Sequence, residues 1–563
     1  MTISQNVEVP APVVPRTAAT VIVARDGAQG MEVLLLRRAE REGDIYLGAC
    51  VFPGGTVDAE DRELREHCPP GSAQAWPPEE FDGRIAAIRE TFEEAGLLFA
   101  YDAHGALVDL HAHDAGELAE ARRALLAGEV GFAEICRRLT GGVRLAPDRF
   151  AYFDRWLTPP GLKRRFDTRF FVAVAPPSQT ALHDIVESVE SMWLRPVDVL
   201  DPARQLKLMA VTRKILERLQ SFETAAAFFE HASRISQAGE VPITMPRLGS
   251  GRRGRVGVQP SEAAYAEIGR LDPNGSGEAF YDIEPGRVVR FAPRVLRITA
   301  PNPGMMTGPG TNTYIVGSPN AKSGAPGGEW VVIDPGPADP GHVQAILDAA
   351  PGAIRAILLT HTHSDHWPAS VQLSERSGAP IWGMPPLHAD FDASLLGRVL
   401  RDGEALDVGE DTTLRVVHTP GHASNHLCYL LEEERTLFSG DHLMQGSTVV
   451  INPPDGDMAA YLSSLNALLE EELQWVFPGH GFLIADPHKL IRQVIAHRLG
   501  REAKVLAGMR AVAPADLDTL TAKIYDDVSA DRHKVAARSL LAHLQKLQGD
   551  GVVAERDGQW FLQ

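Results

Sequence analysis

The chain has 563 residues, which is enough for three or four domains at roughly 100–200 residues per domain. Its hydrophobic content of 44% and charged content of 23% are ordinary for folded globular proteins. The formal net charge of −19 disfavours nonspecific binding to nucleic acids and to anionic membranes.

Cysteine usage and the N-terminal sequence point to a compartment. The four cysteines are scattered without a CxxC pair, which predicts buried or free thiols in a reducing environment: Cys50, Cys68, Cys136 and Cys428. Residues 1–16, MTISQNVEVPAPVVPR, lack a basic start followed by an apolar run, so no signal peptide is predicted. No stretch approaches 18 uncharged apolar residues, so no membrane span and a cytoplasmic location are predicted.

The N-terminal part of the chain predicts mixed strands and helices. The β-rich runs at 17–24 and 31–36, separated by RDGAQG, are typical of a hairpin. Residues 84–100, RIAAIRETFEEAGLLFA, have helical spacing, and Gly96 is placed to end the helix. A further strand is predicted at 169–176 and an amphipathic helix within 203–222, so this α/β section ends near residue 240.

Residues 241–290 are rich in Pro and Gly and predict a linker with some local structure. The run GRRGR at 251–255 suits either a phosphate or nucleic-acid contact or, more commonly, a solvated surface. From about 292 a second section alternates strands, loops and helices. From about 505 two helices precede a hairpin signal at Asp557-Gly558, which together predict a winged helix.

Three glutamates one helical turn apart form the first chemical motif. Glu90, Glu93 and Glu94 fall on one face of the predicted helix, where three carboxylates repel each other unless a positive group lies among them. The simpler alternative is an exposed acidic helix. Mg²⁺ or Mn²⁺ is the expected occupant otherwise, because these ions prefer carboxylate oxygens.

The segment Arg89 to Leu97 resembles the second half of a Nudix box, with Thr91 in place of an apolar residue. The segment VFPGGTVDAED resembles the first half of the box, with Asp61 where the family has Glu. The insertion RELREHCPPGSAQAWPPEEFDG separates the two halves. The resemblance implies that Glu90, Glu93 and Glu94 hold the metal and activate water, that Arg89 orients a carboxylate, and that four residues face the substrate: Arg37, Arg38, Gly54 and Gly55.

The long insertion and residues 156–173, WLTPPGLKRRFDTRFFVA, resemble the Nudix branch that includes coenzyme A diphosphatases. This implies a small-molecule substrate of the nucleotide type, with coenzyme A or acyl-CoA as the first choice. Arg164, Arg165 and Arg169 suit either phosphate contacts or structural ion pairs.

Histidines and aspartates at strand ends form the second motif. THTHSDHW follows an apolar run and gives four potential ligands in six residues, and three more follow in HTPGHASNH, LFSGDH and VFPGHG. This pattern resembles the full ligand set of the metallo-β-lactamase superfamily. The resemblance assigns one metal to His361, His363 and His422, and a second to Asp365, His366 and His480, with Asp441 as the bridge. It implies two Zn²⁺ ions, with Mn²⁺ and Fe²⁺ left open, and a catalytic role for Asp365.

Residues 300–317, APNPGMMTGPGTNTYIVG, resemble the lactamase-beta-2-like branch, which carries a winged-helix tail. The resemblance places Asn312 in a substrate loop beside the metals. Some members of that branch cleave single-stranded RNA, so RNA is an alternative partner. The tail at 515–563 has eight acidic and six basic residues, which does not favour DNA binding. His426 and His442 are predicted as supporting or surface residues, and His418 as part of a strand.

The sequence therefore predicts an α/β and α+β multidomain protein. The domains are a Nudix α/β/α sandwich at 1–240, a linker at 241–290, a metallo-β-lactamase-like αββα sandwich at 291–500 and a winged helix at 501–563. The predicted function is a bifunctional hydrolase that cuts a diphosphate and then an ester, thioester or phosphodiester. The alternatives are a single-stranded RNA nuclease and a Nudix domain that senses a nucleotide without cutting it. The sequence predicts no oligomeric state.

Overall fold

The computed structural model describes residues 13–39, 48–110, 115–138, 143–177, 179–181, 188–320 and 327–563. The chain forms two compact units, Met1–Arg247 and Leu248–Gln563. Within the described residues, we find no helix that is both long and apolar enough to cross a membrane. Most of the segment considered for a signal peptide, residues 1–12, lies outside them.

The first unit is built on one mixed sheet flanked by helices. Its strands are β1 (Arg16–Gly27), β2 (Gly30–Arg38), β3 (Cys50–Val51), β4 (Gly54–Thr56), β5 (Ala100–Tyr101), β6 (Arg144–Leu145), β7 (Ala151–Leu157), β8 (Phe166–Val174), β9 (Ser188–Leu194) and β10 (Ile243–Thr244). Its helices are α1 (Ser72–Ala75), α2 (Pro78–Ala95), α3 (Ala115–Leu126), α4 (Phe132–Arg138), α5 (Pro196–Leu200), α6 (Ala210–Leu219) and α7 (Ala225–Gln237).

The main sheet has the order β10-β7-β8-β1-β2-β3, with β4 also paired to β1 and β9 to β2. Side chains alternate along β1: Val21 and Val23 pack in the core cluster that holds α2, whereas Ile22 and Ala24 pack in the cluster that holds α6 and α7. Both faces of the sheet are therefore covered, which gives an α/β/α sandwich.

The predicted hairpin is confirmed but tighter, because β1 and β2 extend until Gly27 pairs with Gly30. Helix α2 ends as predicted at Gly96, whose φ of 69° is left-handed. The predicted helix within 203–222 is shorter, since α6 begins only at Ala210. Part of the insertion is folded, with a 3₁₀ helix over Ala59–His67 and α1 before α2.

The second unit contains two larger sheets. Its strands are β11 (Arg247–Gly249), β12 (Val256–Val258), β13 (Val288–Ala292), β14 (Val295–Thr299), β15 (Asn312–Ser318), β16 (Glu329–Ile333), β17 (Ala353–Leu358), β18 (Ile381–Gly383), β19 (Arg398–Val399), β20 (Ala405–Asp407), β21 (Thr413–His418), β22 (Leu427–Leu431), β23 (Thr436–Gly440), β24 (Trp475–Pro478), β25 (Val553–Arg556) and β26 (Gln559–Leu562). Its helices are α8 (Tyr265–Leu271), α9 (Pro340–Ala349), α10 (Ala369–Ser377), α11 (Met458–Leu468), α12 (Pro487–Val512), α13 (Leu517–Ile524) and α14 (His533–Gly549).

Strands β13 to β19 form a seven-stranded sheet in chain order, and β20 to β24 form a five-stranded sheet. The two sheets share one core, in which Tyr314 of the first packs against Phe438 and Phe477 of the second. Helices α9 and α10 cover the outer face of the larger sheet, and α11 and α12 cover that of the smaller. The layers are therefore helix, sheet, sheet and helix.

The segment predicted as a linker differs from that expectation. Strand β10 joins the sheet of the first unit, and residues from Leu248 belong to the second. There β11 pairs with β12, and Ile268 of α8 packs in a small core with Val258 and Tyr281. The segment folds because these scattered apolar residues meet, although it is rich in Gly and Pro.

The C-terminal part has the elements expected of a winged helix. Helices α13 and α14 and the C-terminal half of α12 enclose a small core with Trp560 of β26. Arg556 pairs with Gln559, so Asp557-Gly558 forms a two-residue turn in which both residues have positive φ. The hairpin prediction is thereby confirmed.

Candidate metal centres

The first centre lies on α2 beside β4. Glu90 and Glu94 are buried, whereas Glu93 is partly exposed. Arg89 connects the two halves of the interrupted motif: it donates to Glu90 at 2.9 Å, to Glu93 at 3.2 Å and to the buried Asp61 at 2.7 Å. A further bond from Arg89 to the carbonyl of Thr56 at 2.9 Å fixes the guanidinium against β4. The insertion therefore leaves the carboxylate face intact.

Two glycines allow β4 to approach these carboxylates. The backbone N–H of Gly54 donates to Oε2 of Glu94 at 2.8 Å. A Cβ atom on Gly55 would overlap Oε1 of Glu90, so only glycine leaves that carboxylate in place. Gly54 and Gly55 thus contact the acidic face itself, whereas the sequence placed them on the substrate side.

The electrostatics of the acidic face suit a cation. Burial raises the pKa of Glu90 to about 7, and the neighbouring Glu93 adds to this against the opposing effect of Arg89. Burial likewise raises the pKa of the Glu93 carboxyl. Three crowded carboxylates, of which Glu90 and Glu93 have raised pKa values, need more positive charge than Arg89 supplies, and a divalent ion provides it.

The arginines predicted near the substrate lie around this unit. Arg37 is partly exposed at the end of β2 and pairs with Glu190 at 3.1 Å, and Arg38 is the last residue of that strand. Arg169 is buried and pairs with Glu79 at 2.5 Å, which is the ion-pair arrangement considered for it. Arg165 donates to the carbonyl of Thr158 at 3.0 Å, whereas Arg164 is exposed.

The second centre is assembled by loops at one end of the two packed sheets. His361, His363, Asp365 and His366 follow β17, and the other three residues follow the ends of β21, β23 and β24: His422, Asp441 and His480. All seven sequence-predicted ligands are therefore brought to this end. They form two groups, and within each group the donor atoms lie within 4.8 Å of one another.

The first group contains only imidazoles. Nδ1 of His363 lies 2.9 Å from Nε2 of His361 and 2.9 Å from Nε2 of His422. Nδ1 of His422 lies 2.8 Å from the carbonyl of Val450, which fixes its tautomer with Nε2 facing the centre. Burial lowers the pKa of His363 to about 4 and that of His361 well below its usual value, so both rings are neutral as ligands must be.

The second group mixes imidazole and carboxylate. Nε2 of His480 lies 3.4 Å from Oδ2 of Asp365 and 3.3 Å from Oδ1 of Asp441. Nε2 of His366 lies 3.6 and 3.4 Å from the same two carboxylates. Oδ2 of Asp441 also reaches to 3.7 Å from His422 in the first group, so Asp441 lies between the groups.

Unpartnered atoms test whether this second group fits a metal ion. Nε2 of His366, Nε2 of His480 and Oδ1 of Asp441 are buried, and none has a hydrogen-bond partner among the described residues. Buried polar atoms without partners are costly, so their convergence favours a ligand. The donor set of imidazoles and carboxylates fits a first-row divalent ion.

The pKa values support the same conclusion. Burial would lower the pKa of His480, but Asp441 and Asp365 outweigh it and raise the value to about 9. Asp441 and Asp334 likewise hold the pKa of His366 well above its usual value, despite burial. Burial would raise the pKa of Asp365, but His480 and His366 outweigh it and lower the value to about 2. The carboxylates thus attract cations strongly, and a divalent ion would replace the protons on the rings of His366 and His480.

Asp334 is a residue that the sequence analysis missed. It follows β16, and its Oδ2 lies 2.8 Å from Nδ1 of His366 and accepts from the hydroxyl of Thr360 at 2.6 Å. This carboxylate fixes the ring of His366 so that Nε2 faces the centre. The signal was present in the motif VVIDPG, an acidic residue directly after a buried strand.

Asn312 has a different role from the one predicted. It is fully buried, and its amide donates to the carbonyls of Pro478 at 3.1 Å and Gly481 at 2.9 Å. The side chain therefore holds the loop that carries His480 and is not available to a substrate.

The supporting histidines lie behind the ligands. His426 accepts from the backbone N–H of Asp441 at 3.1 Å through Nε2 and contacts Thr419 through Nδ1. His442 is buried against the ring of Tyr461, and neither of its ring nitrogens has a partner in the described part of the chain. His418 ends β21 as predicted.

Comparisons with known proteins agree with both centres. The family model of the metallo-beta-lactamase superfamily matches residues 306–480, that of the NUDT19 Nudix domain matches residues 69–212, and that of the beta-lactamase associated winged helix domain matches residues 517–560. These matches cover the histidine and aspartate donor set, the acidic helix and most of the C-terminal hairpin.

Individual relatives were also found. An atrochrysone carboxyl ACP thioesterase from Aspergillus chevalieri is 32% identical over 294 residues, which is 49% of this chain and 89% of the relative. One from Passalora fulva is 31% identical over 49% of this chain and 83% of its own length. A solved Nudix hydrolase from Alicyclobacillus acidocaldarius is 28% identical and covers 39% of this chain and 97% of its own, with a TM-score of 0.34.

The residues matched by the metallo-beta-lactamase model, 306–480, include all seven histidine and aspartate residues of the second centre. The chain also carries the Nudix and winged-helix domains that the sequence predicted, so it is a hydrolase with more than one domain. The chain belongs to the metallo-beta-lactamase superfamily.

Proposed function

We propose that the protein is a bifunctional metal-dependent hydrolase acting on acyl thioesters of coenzyme A. The Nudix domain would cut the diphosphate of coenzyme A or acyl-CoA, and the metallo-β-lactamase domain would hydrolyse the thioester. The observation that carries the proposal is the pairing of two complete donor sets, one acidic and one binuclear, in a single chain.

A thioester is favoured over a phosphodiester for two reasons. The relatives from Aspergillus chevalieri and Passalora fulva carry the name thioesterase. The tail, which an RNA nuclease could use for binding, has more acidic than basic residues. Coenzyme A joins both activities, since it carries a thiol that forms thioesters and a diphosphate that a Nudix domain can cut.

The donor sets indicate which ions to expect. We assign Mg²⁺ or Mn²⁺ to Glu90, Glu93 and Glu94, and two Zn²⁺ ions to the seven histidine and aspartate ligands. When bound, such ions would supply Lewis acidity to the attacked group and lower the pKa of a water.

Asp365 is the residue we assign to proton transfer at the thioester. Its side chain is 27% exposed whereas that of Asp441 is 12% exposed, so Asp365 is the carboxylate that reaches the cleft. The oxygen of a water bonds to the acyl carbon and the carbon–sulfur bond breaks. Asp365 takes the proton of the water and passes it to the leaving sulfur, which yields a free acid and a thiol.

In the Nudix domain, Glu93 is the corresponding residue. Glu90 and Glu94 are buried, but Glu93 is partly exposed and is held by Arg89 at 3.2 Å. We assign to Glu93 the orientation of the attacking water at the diphosphate. Arg89 keeps the carboxylate in one place by donating to it and to the buried Asp61.

A product assay by mass spectrometry tests both activities. The purified protein with Zn²⁺ and either Mg²⁺ or Mn²⁺ is given coenzyme A and a panel of acyl-CoAs, beside Glu93→Gln and His366→Ala. We expect release of 3′,5′-ADP to be lost only in Glu93→Gln, and release of free acid to be lost only in His366→Ala. The matched control is Glu120→Gln, an exposed glutamate of α3. Absence of turnover throughout the panel would overturn the proposal.

A further inference from the structure

An apolar pocket lies in the metallo-β-lactamase unit and is built partly by the segment that composition predicted as a linker. Helix α8 anchors this segment through Glu267, which accepts from the buried Arg297 at 2.7 and 2.8 Å. Gln445 also donates to the carbonyl of Ala263 at 2.6 Å. The segment is therefore a fixed part of this unit, and its side chains can form a defined site.

The pocket has a volume of about 520 Å³, which is within the range of about 300–1,000 Å³ typical of small-molecule sites. Its lining is mostly apolar, with two aromatic rings, one isoleucine and three prolines, and it also includes one arginine and one aspartate: Tyr281, Phe482, Ile283, Pro285, Pro303, Pro309, Arg252 and Asp282.

The pocket walls belong to the same two loops that hold a predicted metal ligand. Phe482 follows His480 by two residues. Pro309 precedes Gly310, whose carbonyl lies 3.2 Å from Nδ1 of His480. The pocket therefore shares two loops with His480, a predicted ligand of the second group.

Four residues of the lining, the three prolines and Tyr281, are conformationally restricted. Proline has a fixed ring, and the ring of Tyr281 is locked because its hydroxyl accepts from the N–H of Arg253 at 2.7 Å and donates to the carbonyl of Gly254 at 3.0 Å. Such walls cannot follow the shape of a flexible chain. A flat, rigid group loses less conformational entropy on entering a pocket of fixed shape.

The one cation of the lining adds a polar preference. Arg252 is exposed, and its backbone N–H donates to Asp282 at 2.7 Å. Among the described residues no salt bridge involves its guanidinium, whereas the adjacent Arg253 pairs with Glu262 at 3.7 Å. Arg252 is thus available to an acidic oxygen at the mouth of the pocket.

We propose that this pocket is the acyl subsite of the thioesterase, and that it takes a rigid aromatic acyl group with an acidic oxygen substituent directed at Arg252. The proposal rests on the thioesterase activity proposed above and names the substrate class for it.

The test compares three substrates in Glu93→Gln protein, so that diphosphate cleavage does not consume them. These are 2-naphthoyl-CoA, its 6-carboxy derivative and octanoyl-CoA. We expect kcat/KM for 2-naphthoyl-CoA to exceed that for octanoyl-CoA at least tenfold, and the 6-carboxy group to raise it further. Phe482→Ala should reduce the naphthoyl preference about tenfold, and Arg252→Ala should remove the gain from the carboxy group. Arg290→Ala, an exposed arginine of β13, should change neither ratio.

Titration calorimetry with naphthalene-2,6-dicarboxylate separates the two proposals. If no thioester is hydrolysed, the proposed function fails, but the pocket is still tested by binding. Binding that is weakened about tenfold by Phe482→Ala and by Arg252→Ala supports the pocket. Equal use of octanoyl-CoA, or dicarboxylate binding that is absent or indifferent to both substitutions, would overturn it.

Discussion

The guanidinium of Arg297 donates two hydrogen bonds, at 2.7 and 2.8 Å, to the carboxylate of Glu267, and both side chains are almost fully buried. Arg297 lies on β14 of the larger sheet, and Glu267 lies on α8. Burial would lower the pKa of Arg297, but Glu267 outweighs it and keeps the guanidinium charged. This pair therefore attaches α8 to the sheet and specifies where it docks.

Removing one partner should destabilise this unit strongly. Glu267→Ala leaves Arg297 buried without its counter-ion, and breaking a buried pair in this way costs about 3–5 kcal/mol. Denaturant unfolding followed by circular dichroism measures the loss. Glu278→Ala, at an exposed position on the same segment, should have little effect. Similar unfolding curves for the two variants would contradict the structural role assigned to the pair.

The prediction of a linker at 241–290 depended on composition, and composition does not show which residues meet. Helix α8 has only seven residues and no side-chain N-cap, so its local signal is weak. It is stabilised by tertiary contacts, the Glu267 pair and the packing of Ile268, which no local pattern of Gly and Pro reveals. The other boundaries predicted from the sequence, at 1–240, 291–500 and 501–563, stay predictions.

Two adjacent glycines of the Nudix domain should respond differently to alanine. In Gly55→Ala the new Cβ would overlap only the end of the Glu90 side chain, which can swing away. We expect the fold to survive and Mg²⁺ or Mn²⁺ affinity to fall about 10–100-fold, as for other changes that misplace a ligand. Metal titration by calorimetry, with the thermal midpoint as a check on folding, measures both effects.

Gly54→Ala serves as the contrasting variant. Its φ of 157° is unfavourable for alanine, and the Cβ would overlap the backbone carbonyl of Ala19, which cannot move without disturbing β1. We expect a loss of about 1–3 kcal/mol in the free energy of unfolding. A larger loss of stability in Gly55→Ala than in Gly54→Ala would contradict this assignment, in which Gly54 is needed for the backbone and Gly55 for the position of Glu90.

The ligand residues were predictable from the sequence because each follows a strand in a short motif, and strand ends meet at one edge of a sheet. The supporting contacts were not. Asp334 lies 32 residues before His366 in the chain, and only the parallel pairing of β16 and β17 brings them to 2.8 Å. Asn312 was predicted to face the substrate because residues 300–317 resemble a loop of the lactamase-beta-2-like branch, but its amide donates to carbonyls of the His480 loop instead.

Asp334→Asn should weaken one metal position more than the other. The amide cannot hold the ring of His366 as the carboxylate does, so we expect affinity at the second group to fall about 10–100-fold while the group of three histidines keeps its ion. The number of Zn²⁺ ions bound per chain, measured by elemental analysis after dialysis against a weak chelator, should fall from about two to about one. Asp348→Asn, exposed on α9, is the control. Loss of both ions, or of neither, would contradict this assignment.

His543 should make the stability of the winged helix depend on pH. The side chain is fully buried on α14, and neither ring nitrogen has a hydrogen-bond partner in the part of the chain that the structure describes. Burial lowers its pKa to about 3, and the charges around it add to this: Arg498, Lys546, Arg501 and His497. The carboxylate of Glu502 is 3.9 Å away but is held by Lys546 at 3.0 Å, so it does not offset them.

The sign of the effect follows from the two states. The unfolded histidine has a pKa near 6.5, so below that pH the unfolded state binds a proton that the folded state refuses. Stability from this group is complete above about pH 6.5 and decreases as the pH falls towards 3, by about 1–2 kcal/mol at pH 5.5. His543→Leu should remove this part of the pH dependence when unfolding free energies at pH 7.5 and 5.5 are compared. The exposed His388→Leu should keep the wild-type difference, and an unchanged difference in His543→Leu would show that His543 is not the titrating group.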